Sequence, residues 1–162
     1  MFFHASHALL PDGVRNDVRL EIEGGLIRSV GGTVQASDTK LKGLVLPGMA
    51  NVHSHAFQRA MAGLAEWDAG GRDNFWSWRE AMYRFAERLE PDSQLAIARF
   101  LYVEMLKAGY TSVGEFHYLH NKPGGSAYAP PAAMAEAVAQ AAVDSGIALT
   151  MLPTLYVTGG AD

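Results

Sequence analysis

His53 and His55, spaced i, i+2 at the end of an apolar run, are the residues of this chain best placed to do chemistry. Side chains two apart on a strand leave from one face, so the two imidazoles can converge on one point. A convergent pair at the carboxyl end of a buried strand is a common way to hold a divalent metal. Two ordinary polar residues after a strand are the plainer reading of such a pair. Gln58 follows three residues on, and a second polar group, Glu115, His117, Tyr118 and His120, closes a later strand-like stretch. Arg79 carries a planar guanidinium that can bond both oxygens of a carboxylate. It also reads as a solvated helix arginine. Tyr118 reads equally as a packed aromatic with a wet hydroxyl, and Gln58 as a cap on the following turn.

The elements that would position these residues follow from periodicity. A strand is expected from Leu44 to about His53, past the Pro47-Gly48 pair. A loop from Glu66 to Arg72 follows, with Asp73 as an N-cap. Phe75, Trp78, Met82, Phe85 and Leu89 then recur at helical spacing and predict one buried stripe, while Trp76, Arg79 and Tyr83 share another face. Phe75, Trp78 and Phe85 are therefore expected in the core. Glu90-Pro91 opens a second helix, with Ile97, Leu101 and Met105 inward and Gly109 as its stop. A strand from Tyr110 to Tyr118, a Gly/Pro-rich loop from His120 to Pro131, a helix from Ala132 to Ser145 and a strand from Ile147 to Val157 complete the series. Such βαβαβ order implies parallel strands joined by right-handed crossovers.

Upstream, residues 1 to about 34 read as short strands. Val18, Leu20 and Ile22 alternate with charged residues, and Gly24-Gly25 marks a hairpin into Leu26–Val30. Ala36 to Lys42 reads as a polar connection, which puts the division between two domains at 43/44. Two or three strands alone are marginal, so this sheet needs a partner surface. A (β/α)8 barrel takes ~250 residues, and the chain has 162. The expectation is therefore the front part of a longer protein.

Composition sets limits on partners. Apolar residues make up 49% of the chain and charged residues 19%, values of a folded globular protein. Lys+Arg 13 against Asp+Glu 17 gives a net charge of −4 without any basic block, which argues against nucleic acid and anionic membranes. Cysteine is absent, so disulfides and thiolate metal sites are excluded. The amino terminus lacks a basic region followed by an apolar one, and no apolar run approaches the ~20 residues of a membrane span. The expected setting is the cytoplasm.

Pro47-Gly48-Met49-Ala50-Asn51-Val52-His53-Ser54-His55 resembles the metal-binding first strand of the amidohydrolase superfamily. With His53–Ala60, Phe75-Trp76-Ser77-Trp78-Arg79 and Glu115–His120 in this order, the chain resembles the formimidoylglutamate deiminase family within it. The resemblance implies an α/β fold: the first three βα units of a (β/α)8 amidohydrolase barrel, preceded by part of a small β-sandwich. It implies hydrolysis of the formimino C–N bond of N-formimino-L-glutamate, a small acidic substrate of histidine degradation, to N-formyl-L-glutamate and ammonia. By the same resemblance His53 and His55 are ligands of one Zn2+ per subunit, and Gln58, Arg79 and Tyr118 contact substrate. Glu115, His117 and His120 are candidates to support the ligands from behind. The remaining metal ligands and the acid/base residues are expected beyond residue 162, so the chain alone is expected to be inactive. A homodimer is one candidate state for the parent enzyme. Three other readings stay open. They are another aminohydrolase of guanine or chlorotriazine type, a small zinc-binding α/β module closed by His53, His55, His117 and His120, and a non-catalytic interaction domain.

Overall fold

The computed structural model of the chain describes residues 1–64 and 75–156. The chain divides into two compact units, Met1–Pro47 and Gly48–Asp162. The first is a four-stranded sheet of β1 (Phe2–Leu10), β2 (Gly13–Glu23), β3 (Leu26–Val30) and β4 (Thr39–Val45), in the order β3-β2-β1-β4. β1–β2 and β2–β3 are antiparallel, as the Asp12-Gly13 and Gly24-Gly25 turns require, whereas β4 runs parallel to β1. Ala5, Ala8, Val18 and Leu20 are its buried centre. The buried Asp38 carboxylate takes Arg19 Nε at 2.8 Å and the Gln35 N–H at 2.9 Å, which fastens the segment before β4 to β2.

Two sequence expectations change here. Thr39–Lys42, expected as a polar connection, is strand, and Leu44–Val45 completes that strand instead of opening the next unit. Along the chain, the two compact units meet after Pro47. β4 lies at the margin of its sheet, where one side of the backbone stays wet and lysines are tolerated. That composition makes an edge strand resemble a loop.

The second unit has three parallel strands, β5 (Met49–Ser54), β6 (Tyr110–His117) and β7 (Ala148–Pro153), in the order β5-β6-β7. Between β5 and β6 lie a 3-10 turn (Ala56–Met61), α1 (Phe75–Ala86) and α2 (Pro91–Lys107); α3 (Ala133–Ser145) connects β6 to β7. The expected loop Glu66–Arg72 and its Asp73 cap lie outside the described residues, as does Val157. Ala98, Tyr102 and Met105 of α2 pack with Val138, Ala141 and Ala142 of α3 over Val113 of β6. A second cluster joins Phe57 and Met61 of the 3-10 turn to Met82 and Leu89. Leu89 is buried as expected, though α1 has already ended at Ala86. Among the described residues no helix is long and apolar enough to cross a membrane.

Candidate active site

The carboxyl end of β5 delivers the two histidines. His53 is the penultimate strand residue and His55 follows the strand, with ring centroids 5.2 Å apart and planes at 88°. The His53 N–H donates to Asn51 Oδ1 at 3.0 Å, a local bond that shapes the strand end. His55 Nδ1 lies 3.1 Å from the Phe116 carbonyl oxygen. A carbonyl only accepts, so Nδ1 carries the proton and the neutral ring keeps its lone pair on Nε2. Metal-ligating histidines are held in this way, one nitrogen tied to a backbone oxygen and the other presented outward. The His55 ring also packs edge-on against Phe116 and Tyr118, at 5.3 Å from each. Two neighbouring imidazoles, one with its tautomer fixed, fit half of a zinc coordination shell. Among the described residues no group of three or more His, Cys, Asp or Glu side chains is placed to hold a metal.

A cleft of about 870 Å3 opens beside His55 and brings Gln58, Arg79 and Tyr118 to its wall. Gln58 Nε2 donates to Tyr118 Oη at 3.1 Å, and the Met82 sulfur lies 3.5 Å from the amide nitrogen and 3.4 Å from the phenol oxygen. Burial pushes the Tyr118 phenol up to about 12, against the lowering effect of the Gln58 bond, so the hydroxyl keeps its proton at neutral pH. Arg79 donates to Tyr83 Oη from Nε at 3.3 Å and from Nη2 at 3.1 Å. Its guanidinium also lies over the Trp76 and Tyr83 rings, at 5.6 and 5.2 Å from their centroids. Arg79 brings a guanidinium to this wall.

Glu115, His117 and His120 stand elsewhere. Side chains alternate along β6. Val113 packs under α2 and α3, and Glu115 and His117 share its side, while Phe116 meets His55. Glu115 Oε1 accepts the Ala56 N–H at 2.5 Å, a backbone contact and not an imidazole one. The Ser54 and Tyr102 hydroxyls stand beside the same carboxyl, yet neither they nor Oε2 have a partner in good hydrogen-bond geometry. Burial raises the Glu115 carboxyl above the usual range, opposed by the Ala56 N–H. His117 is 3% exposed, with Nε2 buried and unpartnered; burial first and His120 second push it down to about 4. His120 Nε2 donates to the Thr154 carbonyl at 2.8 Å. The four-histidine module is therefore not assembled among the described residues: His53 and His55 form one pair, and His117 and His120 another.

Residues 44–154 match the family model described as the amidohydrolase family. The chain belongs to the amidohydrolase family. Residues 1–40 match a second family model, the N-terminal domain of formimidoylglutamate deiminase HutF. This amidohydrolase is 51% identical over 158 residues to the formimidoylglutamate deiminase of Pseudomonas aeruginosa, covering 96% of this chain and 35% of that protein. A crystal structure of an amidohydrolase from Brucella melitensis aligns with a TM-score of 0.85 and 49% identity, over 93% of this chain and 34% of that one. A mutant atrazine chlorohydrolase from Arthrobacter aurescens TC1, complexed with zinc and atraton, shares the fold at a TM-score of 0.70 and 23% identity, over 93% of this chain and 34% of that one. The amidohydrolase sequence thus spans about a third of the length of these relatives.

Within this amidohydrolase, two side chains assigned to the core have a second face. Phe75 is 61% exposed and lines the cleft, stacking with Trp76 and Trp78 instead of entering the core. Met82 is buried, yet its sulfur is the contact shared by Gln58 and Tyr118. Tyr83, which the sequence puts on the same helix face as Arg79, is its hydrogen-bond partner at the i+4 spacing.

Proposed function

We propose that this amidohydrolase sequence forms the opening third of an enzyme that hydrolyses N-formimino-L-glutamate to N-formyl-L-glutamate and ammonia. The observation that carries this reading is the meeting of His55, Gln58, Arg79 and Tyr118 in one cleft. Identity of 51% to a formimidoylglutamate deiminase supports the choice of substrate. Arg79, braced by Trp76 and Tyr83, takes a substrate carboxylate. Gln58 and the protonated Tyr118 hydroxyl give neutral hydrogen bonds that orient the formimino end. His53 and His55 hold a zinc ion together with ligands from the rest of the enzyme. When bound, that zinc supplies a water whose proton leaves near neutral pH. The acid/base groups likewise belong to later strands. The enzyme works in the cytoplasm on a small acidic metabolite, without nucleic acid or membrane.

Ammonia release from N-formimino-L-glutamate tests the reading. The full-length zinc-loaded enzyme turns over at an ordinary rate of ~1–1000 s⁻¹, and the 162-residue chain alone gives no activity in that range. A full-length enzyme that ignores this substrate but deaminates guanine or dechlorinates a triazine overturns the assignment.

A further inference from the structure

We propose that Glu115 is a positioning residue that sets the metal-ligand turn through the backbone. Its carboxylate oxygen accepts the N–H of Ala56, the residue directly after His55, at 2.5 Å. The next residue of β6, Phe116, accepts from His55 Nδ1 at 3.1 Å. Two consecutive β6 residues therefore grip the turn at two points, one fixing the chain and the other the ring. Strand alternation places the Glu115 carboxyl on the helix-facing side, while the Phe116 ring meets the His55 ring on the other face. Glu115 is 2% exposed and Ala56 is fully buried, so no water replaces the acceptor if the carboxyl is lost. The register of β5 against β6 shifts between Asn51 and Ser54, just where the strand gives way to this turn. The ladder resumes at the Ser54–Glu115 pair, and the Glu115 side chain carries that hold two residues further, to Ala56. Outer groups that orient metal ligands are worth about 10- to 100-fold in metal affinity.

The inference rests on the zinc reading above, and its test separates the two. Three variants of the full-length enzyme, Glu115→Met, Glu115→Gln and Glu115→Asp, are compared by hydrogen–deuterium exchange at the Ala56 amide and by zinc affinity in chelator competition. Met keeps the volume and removes the acceptor. The Ala56 amide loses protection, and zinc binding weakens about 10- to 100-fold. KM for the substrate at saturating zinc stays near the wild-type value. Gln retains an acceptor oxygen and restores both protection and affinity. Asp keeps the carboxyl but withdraws the oxygen by one methylene, so it loses affinity as Met does, and it decides the matter if the Met variant does not fold. Unchanged zinc affinity in folded Met or Asp variants overturns the proposal, as does an Ala56 amide unprotected in the wild type. A wild-type enzyme that binds no zinc fails the functional reading instead, and Ala56 protection in the variants still judges the role of Glu115.

Discussion

Arg79 and His117 sit in different surroundings. Arg79 lies against aromatic faces at the cleft wall. Replacing Arg79 by Met in the full-length enzyme removes charge-assisted bonds of about 1.5–3 kcal/mol, so KM for N-formimino-L-glutamate rises ~10- to 100-fold in steady-state assays. An unchanged KM favours a substrate without carboxylates. His117, by contrast, is kept neutral, with a folded-state value of about 4 against 6.5 for the free side chain. Between those values the unfolded chain binds the proton that the folded chain refuses, so stability falls as pH drops through this window. At 1.36 kcal/mol per unit the loss amounts to about 3 kcal/mol. Glu115, raised on folding, acts in the opposite sense, so the comparison must be made between variants. His117→Leu is expected to show a flatter urea midpoint from pH 6.5 to 4.5 than the wild type; parallel curves refute this. At this scale the resemblance, more than side-chain type, singled out Gln58, Arg79 and Tyr118, and the structure gathers them at one cleft wall. It could not tell which face of β6 Glu115 and His117 would take relative to the site, since alternation gives two faces without saying which one the helices cover.

The elements were legible where their periodicity was strong. α2 and α3 pack over β6 and each stops at a glycine-bearing turn, as the sequence suggests, but the buried stripe of α2 runs through Gln94, Ala98, Tyr102 and Met105, with Ile97 and Leu101 only half-buried beside it. β4 was missed because its lysines suit an edge, and Leu44–Val45 was drawn into the wrong strand by the continuous apolar run up to Val52. The turn into β5 depends on a different signal. A Cβ added at Gly48 would fall within the Thr111 side chain of β6, 2.8 Å from its Cβ, an atom that no rotamer change moves away. Gly48→Ala is therefore expected to cost about 1–3 kcal/mol, read as a lower urea midpoint at constant m-value. A change below ~0.5 kcal/mol, the scale of neutral surface substitutions, means that the two strands can part locally. The backbone freedom of glycine is secondary at this position; the empty space its missing side chain leaves is what the strand pair uses.

At the scale of the molecule, the sequence offered His53 and His55 as two ligands of a metal, and the structure sets them side by side with no third His, Cys, Asp or Glu placed to join them among the described residues. Zinc added to the isolated chain is accordingly expected to leave its melting temperature unchanged at micromolar concentrations. A closed four-ligand site would add about 2.7 kcal/mol at a hundredfold excess over Kd, a shift that calorimetry would register and that would revive the four-histidine module. The sheet order β5-β6-β7 has one more consequence. Among the described residues both β5 and β7 are paired on one side only, and their flanks carry Val52 at 84% and Leu152 at 44% exposure. Parallel strands with bare apolar margins invite pairing with a second chain. Solubility, more than chemistry, then governs how the isolated chain behaves: its light scattering should climb with protein concentration. A lysine in place of Val52 or Leu152 should keep it in solution.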